Sequence, residues 1–117
     1  MALNLEPFRW SWATCTAGDT YPAENWLESD SDNATTLSRV RIKIKDSAGT
    51  VFSTLDSDTS GITINVATAG AWDWTIEAIT APTTAGIYTL DMEHTDSAGV
   101  VFTETTGQWK ILPQVTD

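Results

Sequence analysis

An all-β fold, an antiparallel β-sandwich of about 7–8 short strands with an extended N-terminal segment, is predicted by three observations. The segment Asp46-Ser47-Ala48-Gly49-Thr50-Val51-Phe52 returns further on as Asp96-Ser97-Ala98-Gly99-Val100-Val101-Phe102. In each copy the Asp side chain can bond its own backbone to open a turn, and Gly49 or Gly99 accepts the left-handed conformation that closes a short hairpin. Each turn follows a run of period two. Val40, Ile42 and Ile44 alternate with Arg39, Arg41, Lys43 and Lys45, and Tyr88, Leu90, Met92 and His94 alternate with Thr89, Asp91 and Glu93. That period marks a strand with one buried face. Finally, Ser and Thr are abundant, Lys is scarce and long helix-forming runs are absent.

In chain order, a first strand is expected around Phe8–Thr14, a turn at Ala17-Gly18-Asp19 and a short strand near Tyr21–Leu27. The polar run Glu28-Ser29-Asp30-Ser31-Asp32-Asn33 reads as a surface loop. The strand from Leu37 to Lys45 turns at Asp46 into Val51–Leu55. Beyond Asp56–Gly61, Ile62, Ile64 and Val66 face one way, with Thr63 and Asn65 opposite. A strand at Ala71–Ala78 enters a crossover loop around Pro82. Ile87–Thr95, the second turn, Val100–Thr105 and Gln108–Leu112 complete the set. Residues 1–36 therefore hold an N-terminal arm and the first strands, and 37–117 the remainder of one domain. A chain of 117 residues is long enough to bury its core without metal or disulfide staples.

One detail selects the immunoglobulin-like form of sandwich. Thr84-Ala85-Gly86-Ile87-Tyr88-Thr89-Leu90 reads as the entry to its strand F, where a Tyr two residues before a core position ties its hydroxyl back to the preceding loop. In that arrangement the Leu37–Lys45 strand lies beside Ile87–Thr95. The outward Arg39, Arg41, Lys43 and Lys45 then face outward Asp91 and Glu93, so the basic stripe is expected to be paired internally rather than to bind a ligand.

Charge and chemistry narrow the function. Sixteen acidic residues against six basic ones give a formal charge of −10, which argues against nucleic acid and against an anionic membrane surface. No apolar run approaches a membrane span, and no signal peptide is visible, so folding in a cytoplasm is expected. Cys15 is the lone cysteine and His94 the lone histidine. Two ligands do not make a zinc site, and no nucleophile elbow accompanies His94. Asp56-Ser57-Asp58-Thr59-Ser60-Gly61 copies the opening of an EF-hand loop, but Ala67 stands where the bidentate Glu belongs. No catalytic residue, metal site or cofactor is expected.

The six Trp residues resist so bland an account. Trp10 with Trp12, and Trp72 with Trp74, are spaced to share one face of a strand. Facing inward they are core; facing outward they would anchor a protein partner or stack on sugar rings. Asp73 favours a buried face for the second pair. Arg9, Ser11 and Ala13 leave the facing of the first pair open.

Taken in order, several short motifs resemble a family of tailed-bacteriophage virion proteins with immunoglobulin-like folds, among them the N-terminal domain of the baseplate upper protein. The motifs are Gly18-Asp19-Thr20-Tyr21-Pro22, the Leu37–Lys45 strand, Gly61-Ile62-Thr63-Ile64, Trp72-x-Trp74, Ala85–Glu93, Asp96-Ser97-Ala98-Gly99 and Gly107-Gln108-Trp109-Lys110-Ile111. The chain departs from that pattern by inserting the acidic, Trp-bearing Glu24–Asn33. The resemblance implies a non-enzymatic assembly protein of the virion, made in the host cytoplasm, with other virion proteins and further copies of itself as partners. A tail, baseplate or neck position leads; capsid decoration, or a carbohydrate-binding module for host glycans, are the alternatives. Phe8, Trp10, Trp12 and Trp26 are the candidate docking residues, with Tyr88, Gly49 and Gly99 in structural roles.

Overall fold

Alternation of apolar and polar residues runs through β4 (Leu37–Lys45) and β9 (Gly86–Asp96), and these two strands pair antiparallel inside the larger sheet. Val40 stands opposite His94, Ile42 opposite Met92 and Ile44 opposite Leu90, and all six are fully buried. The opposite face of the same pair carries Arg41 against Glu93 and Lys43 against Asp91. The computed structural model describes residues 11–29, 35–68, 71–103 and 107–114.

The other strands are β1 (Ser11–Thr16), β2 (Thr20–Tyr21), β3 (Glu24–Ser29), β5 (Val51–Asp56), β6 (Ile62–Thr68), β7 (Ala71–Ile76), β8 (Ile79–Thr80), β10 (Val101–Thr103) and β11 (Gly107–Leu112). The large sheet has the order β1-β11-β9-β4-β5, with β10 also on β9, and β1 runs parallel to β11. A second sheet has the order β3-β7-β6, and β2 with β8 forms a small ribbon. The two main sheets pack as an immunoglobulin-like all-β sandwich.

Between the sheets lie Trp72, Trp74 and Ile76 of β7, facing Val40, Ile42, Ile44, Leu90, Met92 and Trp109. Each fully buried Leu, Ile or Met here contributes roughly 1.5–3 kcal/mol relative to exposure. At one edge Trp12 stacks on Tyr21 with ring centroids 5.1 Å apart, and both meet Trp109 edge-on.

The repeated heptapeptide folds the same way twice. The Asp46 carboxylate accepts the N–H groups of Ala48 and Thr50, both at 2.9 Å, and the Asp96 carboxylate accepts those of Ala98 and Val100 at the same distance. Gly49 and Gly99 close the turns with φ of 86° and 83°, a conformation that costs an L-residue about 1–2 kcal/mol.

Several boundaries differ from the sequence expectation. The strand expected near Tyr21–Leu27 is two strands in different sheets, because Pro22 has no N–H to continue a ladder. The crossover loop contains β8, which pairs with β2. The simple alternation of Ile62, Ile64 and Val66 is broken by a register shift between Ile64 and Val66. Of the N-terminal region, β1 and β3 are built into the two sheets; residues 1–10 lie outside the described residues.

Candidate docking surface

The outer face of the large sheet is a charge ladder. The Arg41 guanidinium donates to the Glu93 carboxylate, and Lys45 Nζ lies 3.2 Å from the Asp91 carboxylate. Arg39 donates to both oxygens of Asp56 and stands 3.3 Å from the Asp58 carboxylate. These hydrogen bonds from Arg39 hold the Asp56 carboxyl below the usual carboxylate range, and the N–H of Asp58 adds to the effect. The sequence paired the stripe with Asp91 and Glu93 but missed Asp56. Asp56 stands opposite Arg41 only because the hairpin shifts register between Ile44 and Lys45, so counting back from the Asp46 turn sets Leu55 there instead. The same tie fixes the Asp56–Gly61 turn, which carries the chain from β5 in the large sheet to β6 in the second: the Asp56 N–H donates to the Ser60 carbonyl, 2.8 Å, while its carboxylate serves Arg39.

At one end of the sandwich the Tyr88 hydroxyl donates to the Thr84 carbonyl, 2.8 Å, pinning the crossover loop to the start of β9. Burial raises the Tyr88 phenol above its ordinary range, so the donor is kept. Beside this corner the Asp46–Phe52 turn and the Thr84–Tyr88 loop enclose a groove of about 310 Å³. Its apolar rim is exposed: Val51 by 46%, Phe52 by 43% and Ile87 by 42%. Phe52 sets its ring edge-on to Tyr88 at 6.0 Å. Sequence reading counted Val51 and Phe52 only as strand residues. Two adjacent apolar residues cannot both face inward from a regular strand, which was the available signal.

The Trp residues are placed differently from the docking expectation. Trp12 is 3% exposed, so it is a core residue and not a surface anchor; the parallel pairing of β1 with β11 turns it onto Trp109. Trp26 is half-buried, stacked on Trp74 at 5.2 Å with planes 13° apart. Phe8 and Trp10 lie outside the described residues. Trp72 and Trp74 are buried, so that pair presents no platform for sugar rings. His94 packs against both of their indoles, at 6.0 and 5.4 Å, and burial lowers its pKa to about 4, which keeps the imidazole neutral near pH 7. Among the described residues, no group of three or more His, Cys, Asp or Glu is arranged to hold a metal ion.

The sequence matches no protein-family model and no curated protein. Among solved structures the fold is similar to part of a family 123 glycoside hydrolase from Clostridium perfringens, with a TM-score of 0.58 and 15% identity over 98% of this chain. This chain spans only 24% of that enzyme's length. It is also similar to CopC from Methylosinus trichosporium OB3b, with a TM-score of 0.50 and 13% identity, covering 89% of this chain and 87% of that one. At such identities the likeness is one of fold.

Proposed function

We propose that this protein is a non-enzymatic structural component of a bacteriophage particle, in the tail, baseplate or neck, that docks onto neighbouring virion proteins. The observation that carries the docking role is the exposed apolar rim of Val51, Phe52 and Ile87 around the groove beside the Tyr88 corner. Apolar side chains set around a concavity are the kind of surface that protein partners cover. The virion setting rests on the ordered motifs from Gly18 to Leu112. Antibody raised against the purified protein and gold-labelled on intact particles tests both. Label at the tail or neck supports the proposal, label over the head converts it to capsid decoration, and particles without label refute it.

A further inference from the structure

At the groove beside the Tyr88 corner two strands part. β4 pairs with β9 as far as Lys45 opposite Thr89, and there the chain turns away: the Asp46 N–H donates to the Thr50 carbonyl, 2.9 Å, on the β5 side. β9 begins at Gly86, so Gly86, Ile87 and Tyr88 have no strand partner, among the described residues, on the side that β4 occupies further along. They keep β11 on the other side, where Ile87 stands opposite Lys110.

Backbone alternation decides which groups face that gap. Successive residues of a strand between two neighbours turn their N–H and C=O groups to opposite sides. The Asp96 N–H donates to the Val100 carbonyl, so the even-numbered residues of β9 face β10 and β11, while Thr89, Asp91 and Glu93 face β4. Ile87 belongs to the second set. Its N–H and C=O therefore point to the side of the groove, where no described strand meets them. The walls are apolar, with Val51, Phe52 and Ile87 exposed around the rim. Asp46 is the one charged residue that lines the groove among the described residues. Its Oδ1 holds the N–H groups of Ala48 and Thr50, which leaves Oδ2 for a further donor.

We propose that the groove takes an extended segment of a protein partner, one that carries an Arg or Lys between apolar residues. The segment adds to β9 as a short strand in the line of β4, with its backbone paired to Ile87. Its apolar side chains lie on Phe52 and Val51, and its cation meets the Asp46 carboxylate. An unpaired strand edge is satisfied by backbone hydrogen bonds, which a compact apolar knob cannot supply. Charge selects in the same direction, because a chain of formal charge −10 attracts a basic segment and repels an acidic one. This rests on the reading of the groove as a docking surface, and it is tested without particles, so its failure leaves the labelling result standing.

The probe is the peptide acetyl-Ser-Val-Arg-Val-Ser-amide, titrated to about 5 mM into the isotopically labelled protein and followed by amide NMR, beside the same peptide with Gln or Glu in place of Arg. The Arg peptide should shift the Ile87 and Phe52 amides and slow hydrogen exchange at Ile87 by roughly threefold or more. The Glu peptide should bind roughly tenfold more weakly. Asp46→Asn keeps an acceptor for the two turn amides and should remove most of the preference for Arg over Gln. Phe52→Ser should weaken the Arg peptide roughly tenfold with unchanged far-UV circular dichroism. Should Phe52→Ser disturb the fold, Val51→Ser carries the same expectation. No shift at the groove with any peptide, shifts without slowed exchange at Ile87, or equal binding of the Arg and Glu peptides overturns the proposal.

Discussion

Tyr88 shows how much one hydroxyl does here. Its bond to the Thr84 carbonyl holds the crossover loop against β9, and Thr84 itself is exposed, so water can replace a lost donor. Tyr88→Phe should therefore cost about 1 kcal/mol in urea unfolding, the net worth of one hydrogen bond. Gly61 is less forgiving. Its φ is 95°, and a Cβ there would stand 2.7 Å from Leu55 Cδ2. Gly61→Ala should lose more stability than Gly49→Ala, where nothing lies within 4 Å and only the left-handed strain of about 1–2 kcal/mol applies. His94 sets a pH dependence. Its folded pKa is near 4 against an ordinary 6.5, so the unfolded chain binds the extra proton between those values. The stabilisation is complete above about pH 6.5 and is lost as pH falls toward 4, by roughly 3 kcal/mol in all. Chemical unfolding at pH 7.5 and 5 should show the loss, and His94→Leu should flatten it.

Among the elements, the β4–β5 hairpin and the β4–β9 pair carry the ion pairs, and these differ in worth. Lys45 and Asp91 are about one-third exposed, so Lys45→Ala should cost no more than about 0.5 kcal/mol. The Asp56 side chain is 6% exposed and accepts from Arg39 and from the Asp58 N–H. Asp56→Ala should cost about 2 kcal/mol, because Arg39 and a turn amide lose a charged acceptor together. Since the Asp56 pKa is lowered in the fold, its contribution is present above the ordinary carboxylate range and is lost as pH falls below it. Both effects are read from unfolding midpoints. This part of the surface was largely legible in the sequence: period two placed the four cations on one face, and the immunoglobulin-like strand order set Asp91 and Glu93 of β9 beside them. Asp56 was missed because an Asp beside a turn-rich run reads first as turn chemistry.

For the whole molecule, the decisive quantity is where the charge lies rather than how much there is. Added salt should screen the acidic surface and raise the midpoint of thermal unfolding from its low-salt value. The sequence by itself determined the fold class, the two matched hairpins, the Tyr88 corner and the facing of β4 and β9. Turn chemistry and alternation act over a few residues, so they can be read along the chain. Only the tertiary structure decided that Trp12 belongs to the core, that Pro22 divides two strands between different sheets, and that β5 ends the large sheet among the described residues. Those outcomes depend on which strand stands opposite which. That pairing joins residues far apart in the chain, as when β1 runs beside β11, and no local pattern records it.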